Sequence, residues 1–356
     1  MFSEVLKEVT GIFDRRFLLN AFFPCLIFWG LLGVVGVIGG GWEPLKLLQA
    51  WNQQDGILKA LEIIGLIAIV VFSASVLFNQ SNNILRFYEG YWSFPLGRQF
   101  FRIGKAHHQT CLKELDIKSQ MQILAEKMQQ KGVELSTNQE PKKKPFLQEE
   151  MNGLVAQEKR LQQQQFTSQE KNYRYYPQPR HSDEVMPTRL GNILKNSEKY
   201  PGDRYNIDAV LVWSRLYHVL PNRYILIITE VRSALDFALA IATLSGLFGF
   251  ITGVWLLIAK APGWLYLLCF WGGTLVAGVA YQSAIGNAAA YAEQIKVGFD
   301  LYRHELIKQF RLQPAQKPDG EAKQWQEIQQ LLYGGQAPST WIYIDPDAKK
   351  EEASND

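Results

Sequence analysis

Cysteine is scarce. Three residues, Cys25, Cys111 and Cys269, are scattered through 356 positions with no paired spacing. Such an odd set excludes a disulfide framework, and the missing Cys/His ligand spacing excludes a zinc site. An excess of one charge is also absent. The 37 Lys and Arg stand against 34 Asp and Glu, a net charge of +3, so no basic field points to nucleic acid as a partner. No phosphate-cradling loop occurs. Gly30, Gly33, Gly36 and Gly39 recur every third residue, but no strand precedes them and the G-x-G-x-x-G spacing is missing, so they read as a packing groove for another helix. His304-Glu305 meets Lys308 where a zinc-protease helix needs its second histidine. His107, His108 and Cys111 lie within about one helical turn but have no further ligand nearby in the chain. No catalytic, cofactor-binding or metal-binding residue is assigned, and the chain reads as a non-enzyme that needs no cofactor.

What is abundant is long apolar sequence. The mean hydropathy of -0.11 is ordinary, yet the apolar residues fall into two blocks, 17–79 and 233–285, separated by strongly polar sequence. A bilayer-spanning helix takes about 20 apolar residues, so each block holds two spans. The expected fold is an all-α membrane protein, with four transmembrane helices as two hairpins and a mainly helical cytosolic domain between spans 2 and 3.

In order, residues 1–16 form an amphipathic helix with Phe2, Val5, Leu6, Val9 and Phe13 on one side. It fits an interfacial helix on the bilayer or, equally, a helix packed on the protein's own polar part. Residues 17–80 are the first hairpin. Its opening run is too long for a cleaved signal peptide and no small-residue cleavage site follows. Trp42 and Trp51 bracket a connector of interfacial character, and Glu62 lies near the start of the second span. That span is expected to continue as one helix to Trp92. Residues 233–286 are the second hairpin. Gly246, Gly249 and Gly253 in one limb and Gly273, Ala277 and Ala280 in the other make stripes of small residues that let two backbones approach.

Residues 81–232 form the cytosolic helical domain, with a hairpin insert at 105–166. Ile117, Met121, Leu124 and Met128 recur at heptad-like spacing, as do Leu147, Met151, Leu154 and Leu161, which predicts an antiparallel helical pair with coiled-coil character. Tyr173, Tyr175, Tyr176, Pro177, Pro179 and Pro187 read as an extended segment. Residues 287–344 form C-terminal cytosolic helices with a possible strand at 340–344, and 345–356 are an acidic, disordered tail. The positive-inside rule puts the Lys/Arg-rich centre and both termini in the cytoplasm.

The densest run of distinctive residues lies between Thr188 and Leu216. Arg189, Asn192, Arg204, Asp208, Trp213 and Arg215 there, with Glu89, Trp92, Asp300 and Arg303 outside it, are the expected junction or interaction residues. They could serve as ion pairs and caps or as a binding surface. The words Thr188-Arg189-Leu190-Gly191-Asn192, Asp203-Arg204-Tyr205, Trp213-Ser214-Arg215-Leu216 and Phe299-Asp300-Leu301-Tyr302-Arg303, with Glu89-Gly90-Tyr91-Trp92, resemble a family of uncharacterised multi-pass membrane proteins of bacteria, including cyanobacteria. The resemblance implies a bacterial inner membrane, or a thylakoid membrane in a cyanobacterium, and carries no catalytic residues. The expected function is a scaffold or assembly protein, homo-oligomeric in the lipid bilayer and presenting its cytosolic helices to a protein partner. A homo-oligomeric channel or transporter is the second reading, weakened because Asn20, Ser73, Ser75, Thr243, Ser245, Thr252, Thr274 and Gln282 are too scattered to line a pore.

Overall fold

The structure, a computed structural model, describes residues 14–137, 143–339 and 341–344. The amphipathic residues before Asp14, the tip of the central hairpin at 138–142 and the acidic tail lie outside the described residues. All regular secondary structure among the described residues is helical, and the chain divides into two compact units. The first comprises Met1–Tyr91 and Pro221–Tyr291, the second Trp92–Leu220 and Ala292–Asp356.

The first unit carries four helices long and apolar enough to cross a membrane: α1 (Arg15–Gly39), α3 (Gly56–Asn79), α10 (Asn222–Ile258) and α11 (Gly263–Gln309). Large apolar side chains point outward along them, Phe72 and Leu275 exposing 72% and 66% of their surface. Lipid tolerates such a surface and water does not. α1 opens with a widened turn, Leu18–Phe22, in which the N–H of Phe23 reaches back to Leu18. It stands directly before Pro24, whose missing N–H and bulky ring disrupt a regular turn. Asn20 within this turn is buried and donates to Ser233 Oγ on α10 at 2.8 Å. At the other end of α1, Gly39 lies against Leu256 and Trp255, so α1 and α10 run parallel. Trp29 donates to Ser73 Oγ at 3.0 Å, and the Phe17 ring meets Phe78 edge-on, so α3 runs antiparallel to α1. Gly30, Gly33 and Gly36 face open space; of that stripe only Gly39 makes a packing groove.

α10 and α11 meet where neither has a side chain. A Cβ on Gly273 would come within 2.8 Å of Ser245 O and 2.9 Å of Gly249 Cα, and one on Gly249 would press on Phe270 O at 3.1 Å. Gly253 continues the seam against Phe270, and Ala280 is buried while Ala277 is half-buried. Gly246, expected in the same stripe, is exposed with nothing near it. The contacts follow Ser245, Gly249, Thr252 and Leu256, a heptad-like spacing that rotates position 246 out of the seam.

The second span does not run straight on to Trp92. Helix geometry breaks at Gln80, and a separate helix, α4 (Ser81–Glu89), follows. Asn82 accepts from Arg232, and Tyr88 stacks on Tyr281 with its hydroxyl 3.4 Å from Thr243 Oγ1. α4 therefore travels along α10 in the direction opposite to α3. It ends at Gly90, whose φ of 100° only glycine adopts freely. Between the first two spans lies α2 (Pro44–Gln53), which buries no residue.

The second unit begins with α5 (Pro95–Leu115), followed by α6 (Ile117–Thr137) and α7 (Lys144–Tyr175). α6 and α7 pack through Ile117, Leu124 and Leu161, with Met121, Met128 and Leu154 against them. The pair thus starts at 117, after Asp116 breaks the helix, and α7 continues past 166 to Tyr175. Tyr173 and Tyr175 are accordingly helical and not extended. A 3-10 turn (Pro179–Glu184) leads to α8 (Arg189–Tyr205) and α9 (Ala209–Val219), and the unit closes with the end of α11 and α12 (Pro318–Gly334). Trp341–Ile344 carry no strand; Ile344 N donates to Arg311 O, and Trp341 Nε1 donates to Glu327.

Gly249→Leu should drive α10 and α11 apart and lower the melting temperature of the purified protein in detergent. Gly246→Leu adds the same side chain one turn away and should leave that temperature nearly unchanged.

Candidate functional site

The last turn of a helix leaves carbonyl oxygens without partners. At the end of α7, Tyr173 O takes two donors from two other helices: Asn196 Nδ2 of α8 at 2.5 Å and Lys296 Nζ of α11 at 2.8 Å. Lys296 lies beyond the apolar part of α11 and is 1% exposed. Its ammonium sits 4.0 Å from the centre of the Tyr173 ring and 5.4 Å from that of Tyr200, so two aromatic faces replace the lost water. A cation near a helix C-terminus also opposes the helix dipole.

Acids and bases alternate around this ammonium. Tyr200 and Tyr205 donate from their hydroxyls to the two oxygens of Asp300, at 2.8 and 2.6 Å. Arg303 lies over the Tyr205 ring at 3.8 Å, donates to Glu321 at 2.6 Å and bonds the carbonyl of Asp300. Arg204 covers Tyr200 at 4.9 Å, and the Tyr173 hydroxyl reaches Glu293 at 3.4 Å. Burial lowers the Lys296 pKa to about 8, against the pull of Glu293. Burial and then the Asp300 hydrogen bond push Tyr205 up to about 12 and Tyr200 higher still. The tyrosines are therefore fixed donors at neutral pH.

Of the residues expected at a junction, Arg204, Asp300 and Arg303 converge here. The others do not form one cluster with them. Asn192 is buried, accepting from Met186 N and donating to the carbonyls of Met186 and Thr188, while Thr188 Oγ1 accepts from Gly191 N. The word Thr-Arg-Leu-Gly-Asn is thus the N-terminal cap of α8. Asp208 caps α9 through Val210 N and Leu211 N, and accepts from Tyr333 on α12 at 2.6 Å. Burial, which raises its pKa, is outweighed by these bonds, so the carboxyl stays below its ordinary value. Arg189 stacks over Tyr175 at 4.6 Å, and Trp213 tilts against Phe299 at 5.7 Å. Arg215 donates to Leu211 within its own helix and borders a shallow groove with His218, Glu305 and Gln309. Trp92 abuts Gly97 at the start of α5, and Glu89 ends α4 in the first unit.

Lys296, Tyr173, Tyr200, Tyr205, Asn196 and Glu321 were missed. A signal existed: Glu293, Lys296, Asp300 and Arg303 alternate in sign at three-four-three spacing within the stretch 287–344 expected to be helical. His108 Nδ1 lies 2.9 Å from the Tyr176 hydroxyl, and His107 lies 3.8 Å from Cys111 Sγ. Burial, then His107 and Arg189, lower the pKa of His108. Among the described residues no three His, Cys, Asp or Glu come close enough to hold a metal ion. No family model, curated protein or solved structure matches the chain.

The depressed Lys296 pKa has a definite sign. From its folded value of about 8 up to the ordinary 10.5, the unfolded chain holds a proton that the folded chain has released. Stability therefore rises with pH through that window, by on the order of 1 kcal/mol per pH unit. Urea unfolding between pH 7.5 and 9.5 should show this rise, and Lys296→Met should flatten it. In the same assay Asp208→Ala, which uncaps α9, should cost about 1–2 kcal/mol, and Arg215→Ala should cost little.

Proposed function

We propose that the protein is a non-enzymatic integral membrane scaffold or assembly factor that presents a cytosolic helical arm, α6–α7, to protein partners. The arm's far end is its available face. α6 and α7 bury their leucines and methionines against each other, while Val133 and Phe146, flanking the tip, are 60% and 63% exposed. Its base, in contrast, is held by Lys296 and Asn196. The ionisable groups around Lys296 are engaged in bonds within the protein, which fits positioning better than turnover. In this reading the four apolar helices are two transmembrane hairpins with both termini and the arm in the cytoplasm. The membrane is a bacterial inner membrane or a thylakoid, as the motif resemblance implies. Homo-oligomers form through the outward glycine face of α1.

The channel reading loses support from the polar side chains of the spans. The hydroxyls of Ser73, Ser75, Thr243, Thr252 and Thr274 each donate to a carbonyl four residues back in their own helix, and Asn20 bonds Ser233. Groups satisfied in this way do not need a wetted pore.

Removing residues 117–165 should leave an inserted, folded protein that no longer co-purifies with the partners of the full chain. Reporter fusions at residue 150 and at the C-terminus should both behave as cytoplasmic. Unchanged partners without the arm, or ion conduction by the purified protein in planar bilayers, would favour the channel.

A further inference from the structure

α2, between the first two spans, is two-faced and has no core to pack on. At about 100° per residue, Leu45, Leu47, Leu48 and Trp51 fall on one side of it and Lys46, Gln49 and Gln53 on the other. Asn52 interrupts the apolar side, in the last turn. Among the described residues nothing buries that side: Leu45 and Leu48 expose 76% and 58% of their surface. A connector that only had to cross water between two spans would need no such division.

Both ends of α2 are tied to spans, and all the contacts lie within the first unit. Gly41, with a φ of 73°, turns the chain out of α1, and Trp42 N donates to Val37 O. At the other end Lys59 Nζ donates to Asn52 O at 2.8 Å and stands 5.5 Å from the centre of the Trp51 ring, while Trp51 Nε1 donates to Glu62 at 2.7 Å. Glu62 lies beyond the first turn of α3, ~9 Å along the helix axis from Gly56. Trp51 belongs to the apolar side of α2, so that side turns toward the length of the span and not toward the water beyond its end. Ile57, Leu58 and Leu61 of α3 are exposed over the same two turns. The two apolar surfaces adjoin, and α2 prolongs sideways the face that α3 presents to lipid. Charge plays little part: between Gly40 and Asp55 the charged residues are Glu43 and Lys46, which pair at 2.9 Å, and Asp55.

We propose that α2 is an in-plane helix of the bilayer interface, with Leu45, Leu47, Leu48 and Trp51 packed on the acyl chains around α1 and α3 and with Lys46, Gln49 and Gln53 in water. The Trp51 indole, apolar in body and bonded at its N–H to Glu62, sits at the depth where such side chains collect. The inference goes beyond the scaffold reading and holds whichever partner the arm binds. It makes the connector a lateral anchor that sets the depth of the first two spans and does not depend on headgroup charge.

The test uses the full-length protein in a Cys111→Ser background that keeps the buried Cys25 and Cys269, reconstituted in nanodiscs of phosphatidylcholine. A nitroxide is placed in turn at Leu45→Cys, Lys46→Cys, Leu48→Cys, Gln49→Cys and Gln53→Cys. Labels at 45 and 48 should collide several-fold more with oxygen than with a water-soluble nickel chelate, labels at 46, 49 and 53 should show the opposite preference, and added phosphatidylglycerol should leave the pattern unchanged. Equal access of the nickel chelate to all five positions would overturn the proposal, as would immersion of 45 and 48 only when phosphatidylglycerol is present. Dipolar broadening between labels at 48 that disappears on dilution with unlabelled protein would overturn it too, by assigning the face to a second copy of the chain.

Discussion

The carbonyl of Tyr173 is the point on which the architecture of the second unit depends. A 32-residue helix whose last turn is unsupported frays, because its terminal carbonyls have no partners within the helix. Here one of those carbonyls is held by a buried ammonium and an amide from two other helices. The aromatic cage makes the ammonium's burial tolerable, and Asp300 locks the cage by accepting from Tyr200 and Tyr205. Arg303 in turn secures Tyr205 and fastens α12 through Glu321. Removing any single member exposes the next to water or leaves it unpaired, so the cluster behaves as a unit.

A different constraint governs the first unit. In lipid, apolar side chains give no reason for helices to associate, so contact is decided by where backbones can approach. α10 and α11 do so at Gly249 and Gly273, and α1 joins α10 through the Asn20–Ser233 hydrogen bond and the Gly39 contact. The hydroxyls of Ser73, Ser75, Thr243, Thr252 and Thr274 turn back on their own helices, while Asn20 and Trp29 donate to hydroxyls of neighbouring helices.

The parts of this arrangement written in one-dimensional pattern were legible in the sequence. The four spans follow from hydropathy and the α6–α7 pair from heptad spacing, and Gly249, Gly253 and Gly273 were found by small-residue spacing. What escaped depends on rotation and direction. Gly246 sits on the same nominal stripe but turns outward, because the seam follows Ser245, Gly249 and Thr252. The reversal at Gln80 has no Pro or Gly to announce it. In the junction segment, residue type alone could not tell a cap from a cluster: Asp208 and Asn192 serve the ends of their own helices, whereas Arg204, Asp300 and Arg303 gather around a lysine that appears in none of the distinctive words. Apolar periodicity does not register a buried cation held by aromatic faces.

The donors on Tyr173 fix the base of the arm. Hydrogen–deuterium exchange of the full-length protein in nanodiscs, read on peptides covering the last two turns of α7, checks this. Protection there should exceed that of the exposed turns at Val133 and Phe146, and should fall to the level of a frayed helix end in the Asn196→Ala, Lys296→Met double variant while the apolar spans stay protected. Fast exchange of those turns in the parent protein, or slow exchange unchanged in the double variant, would contradict it.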